Sequence, residues 1–169
     1  AAPYARARNQ EAKSQGRDIL IHMPMQPVSA VKIEDGGLHL GMSAAQVNDR
    51  VNTAKNIVRD AIGMNNHMGS AATADPQLMT YLMTALQEKH LFFLDSRTIG
   101  KSVAGKIAKE QGVRSLDRHI FLDDSNEFAD VQRQFKAAIH YARKHGSAIA
   151  IGHPRANTIA VLQAGLNNL

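Results

Sequence analysis

Apolar positions recur along the chain in two rhythms. Ala44, Val47, Val51, Ala54 and Val58 keep a spacing of three to four, which puts them on one face of a helix. Ser43 stands where an N-cap belongs and Gly63 where the chain must stop turning, so the pattern predicts a helix over 44–61. Asp75-Pro76 pairs a cap with a proline at the first helical position, and Leu78, Leu82 and Leu86 follow four apart. This predicts a second helix, running to about Lys89. The same periodicity predicts helices over 4–16, 102–111 (opened by Ser102), 127–145 (closed by Gly146) and 157–166. The other rhythm is a short unbroken apolar run. Asp18–His22, Leu91–Leu94, Ile120–Leu122 and Ala148–Ile151 are too short for helices and suit buried strands. Pro24, Pro27 and the Gly36-Gly37 pair predict a long loop over 23–41, and Gly63–Ser70 reads as a polar connection between two helices.

Helices alternating with continuous apolar strands predict an α/β fold with a mainly parallel sheet covered on both faces. Crossovers between parallel strands are overwhelmingly right-handed. The patterns leave both an open sheet and a barrel available. A length of 169 residues suits one domain over 1–169.

Polar residues follow the predicted strands in a regular way. His22 ends the first run, Asp95 the second, Asp123 and Asp124 the third, and His153 comes just after the fourth. In parallel α/β folds ligands gather at the carboxyl ends of the strands, so these positions are expected to share a pocket. Asn65, Asn66 and His67 lie between flanking glycines, where asparagine offers both donor and acceptor. Each position also has a plainer role. Asp123 and Asp124 are expected chiefly as caps of the helix that follows. Asp95 with Arg97 could be a structural ion pair, and a histidine at a strand end often binds a backbone carbonyl. The other histidines show no partner pattern. Methionines read as core filler, with Met23, Met25, Met64 and Met68 flanking the proposed site.

Composition narrows the chemistry. There is no cysteine, which excludes disulfides, thiolate ligands and a cysteine nucleophile. The net charge of +5 arises from 20 Lys+Arg against 15 Asp+Glu. These basic residues are scattered among acidic neighbours, so nucleic acid is not an expected partner. A mildly cationic surface does suit an anionic cell-envelope polymer. No apolar window is long enough for a transmembrane helix, and no signal peptide stands at the start of the sequence. Aromatics make up only 5 %, few for stacking on sugars. Oligomeric state leaves no mark in the pattern.

Six stretches together resemble the divergent polysaccharide deacetylases, distant relatives of the NodB-type carbohydrate esterases. They are APYA at 2–5, ILIHMPMQP at 19–27, GMNNHMGSAAT at 63–73, LFFLDSRT at 91–98, FLDD at 121–124 and AIAIGHPRANT at 148–158. The resemblance implies a NodB-like deformed (β/α) barrel and hydrolysis of N-acetyl groups on a polysaccharide, in the periplasm or outside the cell. It implies a divalent metal cofactor, zinc first, with His22 and His67 as ligands. His153 resembles the late general acid of the family, and Asp95 its retained carboxylate with Arg97 as orienting partner. Asn65, Asn66, Met23 and Met68 are then expected to meet the substrate.

The chain also departs from the family pattern. The family opens with a strand ending in an Asp-Asp pair, which supplies a ligand and a base, and closes with a further apolar strand. Neither is found in this sequence, so a chain incomplete at both ends is expected. The esterases carry two histidines four apart, and position 26, four after His22, is Gln26. A glycan-binding or scaffold domain that has lost the chemistry is therefore the alternative to an enzyme.

Overall fold

The computed structural model describes residues 4–169 and divides into two compact units, one ending at Leu116 and the other beginning at Asp117.

The first unit is built on a sheet of four strands, β1 (Leu20–Met25), β2 (Gly63–Met68), β3 (Phe92–Asp95) and β4 (Ser115–Asp117), in that order across the sheet. β1 pairs with β2 in parallel from Leu20↔Gly63 to Met25↔Met68, and β2 with β3 in parallel from Gly63↔Phe92 to Asn65↔Leu94. Its helices are α1 (Ala5–Ser14), α2 (Ala44–Ile57), α3 (Pro76–Glu88) and α4 (Ala104–Glu110). α2 begins at a reciprocal cap, in which the Ser43 hydroxyl accepts from Gln46 N–H while the Gln46 side chain accepts from Ser43 N–H. Asp75 caps α3 by accepting from Leu78 N–H at 2.8 Å. α3 is the most deeply buried helix, with Leu78, Met79, Leu82, Met83 and Leu86 in one core with Ile21, Met23, Met64 and Phe93 of the strands.

Three elements differ from the expectation. Gly63–Met68 is a strand at the centre of the sheet, with none of the apolar run that marks its neighbours. Its backbone is satisfied from both sides, and its amides find buried partners, so polar side chains are tolerated there. β1 continues through Pro24, which the sequence places in a loop. Pro24 C=O accepts from Leu38 N–H on the side away from β2. The nitrogen of a strand residue faces the same way as its carbonyl, so the missing N–H of proline is lost from the sheet edge and not from the β1–β2 ladder. β4 carries a single apolar residue, Leu116, and escapes a search for apolar runs.

The second unit pairs β5 (Ile120–Phe121) with β6 (Ala150–Ile151), again in parallel, and adds α5 (Phe128–His145) and α6 (Ala156–Leu166). Gly146 closes α5 with φ of 92°, a left-handed cap that glycine adopts without strain. The fold is α/β with mainly parallel strands, as the alternation of helices and apolar runs implied.

Candidate functional site

Strand register builds the cluster in the first unit. His22 lies opposite Asn65, and Pro24 opposite His67, so His22, Asn65 and His67 share one face of the sheet. The two imidazoles meet edge to face with ring centroids 5.0 Å apart. His22 Nδ1 is 3.0 Å from Asn65 Oδ1, and His67 Nε2 is 3.7 Å from Glu34 Oε1. Glu34, in the loop after β1, went unmarked in the sequence because nothing around it forms a pattern.

Beneath these rings runs a buried polar chain. Asn65 Nδ2 donates to Ser96 Oγ at 3.2 Å, and Ser96 Oγ donates to Asn66 C=O at 2.8 Å. Ser96 N–H donates to Asn66 Oδ1 at 2.9 Å, and Asn66 Nδ2 to Met68 C=O at 2.6 Å. Asn66 is 1 % exposed. Its side chain is thus bonded at both amide atoms and braces β2 against the β3 end, buried away from the surface where contact with substrate was expected. Met23, 3 % exposed, is part of the core, which likewise differs from that expectation. Met68 is half-buried and turns the chain at the end of β2 with φ of 56°.

Asp95 does not join the imidazoles. Alternation along β3 turns it to the opposite face from Leu94, which pairs with Asn65. Its carboxylate is buried and accepts from Ser102 Oγ at 2.6 Å and from Arg97 N–H at 2.8 Å. The Arg97 guanidinium stands 3.9 Å away, a loose ion contact. Asp95 thus shapes the turn after β3, where Arg97 adopts φ of 54°. Ser102 Oγ donates to this carboxylate and also accepts from Ala104 N–H at 3.3 Å, at the start of α4, whose N-cap is Val103. Gln26 is also engaged: its side-chain oxygen accepts from Leu40 N–H at 2.9 Å and ties down the loop after β1.

Among the described residues, no group of three or more His, Asp or Glu side chains is placed to hold a metal ion. His22 and His67 are two imidazoles close together, with ring centroids 5.0 Å apart.

In the second unit His153 is held by Asp123. His153 N–H donates to Asp123 Oδ2 at 2.6 Å, and the ring Nδ1 lies 2.8 Å from Oδ1. Thr158 Oγ1 donates to Oδ2 at 2.8 Å, while Arg155 donates to the Asp123 backbone carbonyl at 2.6 Å. Burial opposes the Asp123 charge, but the hydrogen bonds from His153 and Thr158 outweigh it and hold the carboxyl below its usual range. A carboxylate can only accept, so the His153 proton sits on Nδ1 and Nε2 points away from Asp123. The side chain of His153 is 54 % exposed while that of Asp123 is 1 %, an arrangement suited to proton transfer at a solvent-facing nitrogen. Asp123 was expected as a helix cap, but the N-cap of α5 is Glu127. The available signal was Asp at one strand end and His at the next, a pairing that only parallel adjacency of β5 and β6 converts into contact.

The chain is similar to proteins of the same kind over its whole length. It is 99 % identical over 169 residues to an uncharacterized protein of Haemophilus influenzae, covering 100 % of this chain and 60 % of that one. It is 43 % identical over 168 residues to the uncharacterized protein YibQ of Escherichia coli, covering 99 % of this chain and 53 % of that one. The chain thus spans little more than half the length of these curated relatives. A crystal structure of an uncharacterized protein from Agrobacterium tumefaciens shares the fold with a TM-score of 0.86 at 23 % identity, over 92 % of this chain and 64 % of that one. The divergent polysaccharide deacetylase family matches residues 1–169, and the chain belongs to that family.

Proposed function

We propose that the chain performs metal-dependent hydrolysis of N-acetyl groups on a cell-envelope polysaccharide, in the periplasm or outside the cell. The observation that carries this is the His22–His67 pair, with rings 5.0 Å apart on one sheet face and His22 oriented by a buried amide. A divalent ion, zinc first, would supply Lewis-acid stabilisation of the charge that develops on the acetyl oxygen. His22 and His67 would hold it. His153, oriented through Nδ1 by Asp123 in the second unit, would act as a general acid through Nε2, with Asp123 stabilising its imidazolium form. Met68, half-buried at the end of β2, would touch substrate beside the histidines, while Asn65 would act through His22. Among the described residues, no helix is long and apolar enough to cross a membrane.

The test is acetate release from N-acetylated envelope glycans with added zinc, using this protein beside the full-length Haemophilus influenzae relative. His67→Ala and His153→Ala should each lower turnover at least about a hundredfold, the usual contribution of a ligand or general acid. Release that persists in His67→Ala would remove the metal-dependent mechanism. A second reading, glycan binding without hydrolysis, is favoured by Gln26 standing four after His22 and tied to Leu40, and by the engagement of Asp95 in its own turn. Saturable glycan binding with no acetate from either protein would decide for it.

A further inference from the structure

We propose that Ser96 and Asn65 form a directional relay that fixes His22 in the tautomer with its proton on Nδ1, presenting Nε2 as the ligand atom. The polarity of each bond follows from the one before it. The Asn66 backbone carbonyl has no proton, so the bond at 2.8 Å must be donated by Ser96 Oγ. A serine hydroxyl has one proton, so toward Asn65 at 3.2 Å Ser96 Oγ accepts. The Asn65 amide nitrogen therefore faces Ser96, and its oxygen faces His22. That oxygen can only accept, so the 3.0 Å bond is donated by His22 Nδ1–H.

Ser96 is itself set in place. Its backbone N–H donates to Asn66 Oδ1, and Asn66 Nδ2 donates to Met68 C=O. Both Asn66 partners have fixed polarity, so this amide cannot flip without losing two bonds. Asn65, Asn66 and Ser96 are 8 %, 1 % and 4 % exposed, which leaves water little access to substitute for any link. In water both imidazole tautomers are available, and the partner of one ring nitrogen decides the state of the other. A ligating histidine needs its lone pair on the metal-facing nitrogen, and the partner of the other nitrogen commonly fixes that. The use of the relay in metal binding rests on the function proposed above, while the tautomer does not.

Long-range proton–nitrogen NMR of the histidine rings tests the relay without metal or substrate. His22→Gln assigns the His22 signals, and the spectra are taken at mildly alkaline pH, where imidazoles are neutral. His22 should show a protonated Nδ1 and an unprotonated Nε2. Ser96→Ala should mix the tautomers, because the Asn65 amide then loses the partner that orients it. Asn65→Asp, which keeps an acceptor toward Nδ1, should retain the wild-type pattern. A wild-type His22 with its proton on Nε2 would overturn the relay, and so would a Ser96→Ala spectrum identical to wild type. If Ser96→Ala fails to fold, a wild-type ring and an Asn65→Asp ring that disagree would also overturn it. Titration with zinc alone separates the two ideas. Roughly tenfold weaker binding by Ser96→Ala supports the role of the relay at the metal. A locked tautomer with no zinc binding to either protein would remove the metal reading and leave the relay standing.

Discussion

His22 and His153 are both oriented through Nδ1 by a side chain on the neighbouring parallel strand or its end, but the partners differ in charge. His22 has a neutral amide, Asn65, while His153 has the carboxylate of Asp123. A neutral acceptor fixes the direction of a ring without adding charge beside it, which suits a nitrogen that must donate its lone pair. A buried carboxylate stabilises the imidazolium, which suits a nitrogen that must gain and lose a proton. The same geometric device, two strand ends side by side, thus sets two histidines beside partners of different charge. The difference also appears in burial and cost. Asp123 gathers three bonds from His153 and Thr158 to offset its desolvation, whereas Asn65 needs only its two neighbours.

Changes at the two sites should therefore have unequal effects. Asp123→Ala leaves the His153 N–H and the buried Thr158 hydroxyl without their charged acceptor and should destabilise the protein by about 3 kcal/mol. Urea denaturation would show it, and a loss below about 1 kcal/mol would mean that these bonds do not hold the turn. Gly63→Ala probes the strand that carries the neutral site. A Cβ there would lie 2.8 Å from the Phe92 ring, so β2 and β3 must part slightly, at about 2 kcal/mol. An unchanged midpoint would show that Phe92 can turn aside. Asn65→Leu should cost less, about 1 kcal/mol, because only a neutral acceptor is lost and no bond to a charged group is broken. A loss as large as that of Asp123→Ala would erase the distinction between the sites.

The smallest expected effect is on pH dependence. The folded Asp123 carboxyl titrates below its unfolded value of about 3.9. Its stabilisation is present above that unfolded value and is lost as pH falls through the folded one. Acid denaturation below about pH 4 should be shallower in Asp123→Asn than in the wild type. Identical acid limbs would show that Asp123 gains no stabilisation of its charge on folding. Asn65→Leu should leave the acid limb unaltered, since no charge is removed.

Much of this architecture is legible in the residues alone. The helical spacing of Val47 and Val51, the Ser43 and Asp75 caps and the Gly146 stop each encode a local event, and local events are settled by neighbours in sequence. The placement of His22 and His153 at the ends of apolar runs was legible for the same reason. The rest depends on what lies across the sheet. β2 is polar in sequence and central in space because Ser96 and the amides of Asn65 and Asn66 satisfy one another. Pro24 belongs to a strand because its nitrogen faces away from the β1–β2 ladder. Asp95 is a turn residue because one step of strand alternation turns it away from the imidazoles. Asp123 holds a histidine because β5 and β6 are adjacent. Periodicity records which residues are apolar at each turn or step, whereas the partner of a buried polar group is chosen by strand register, which only the folded chain supplies.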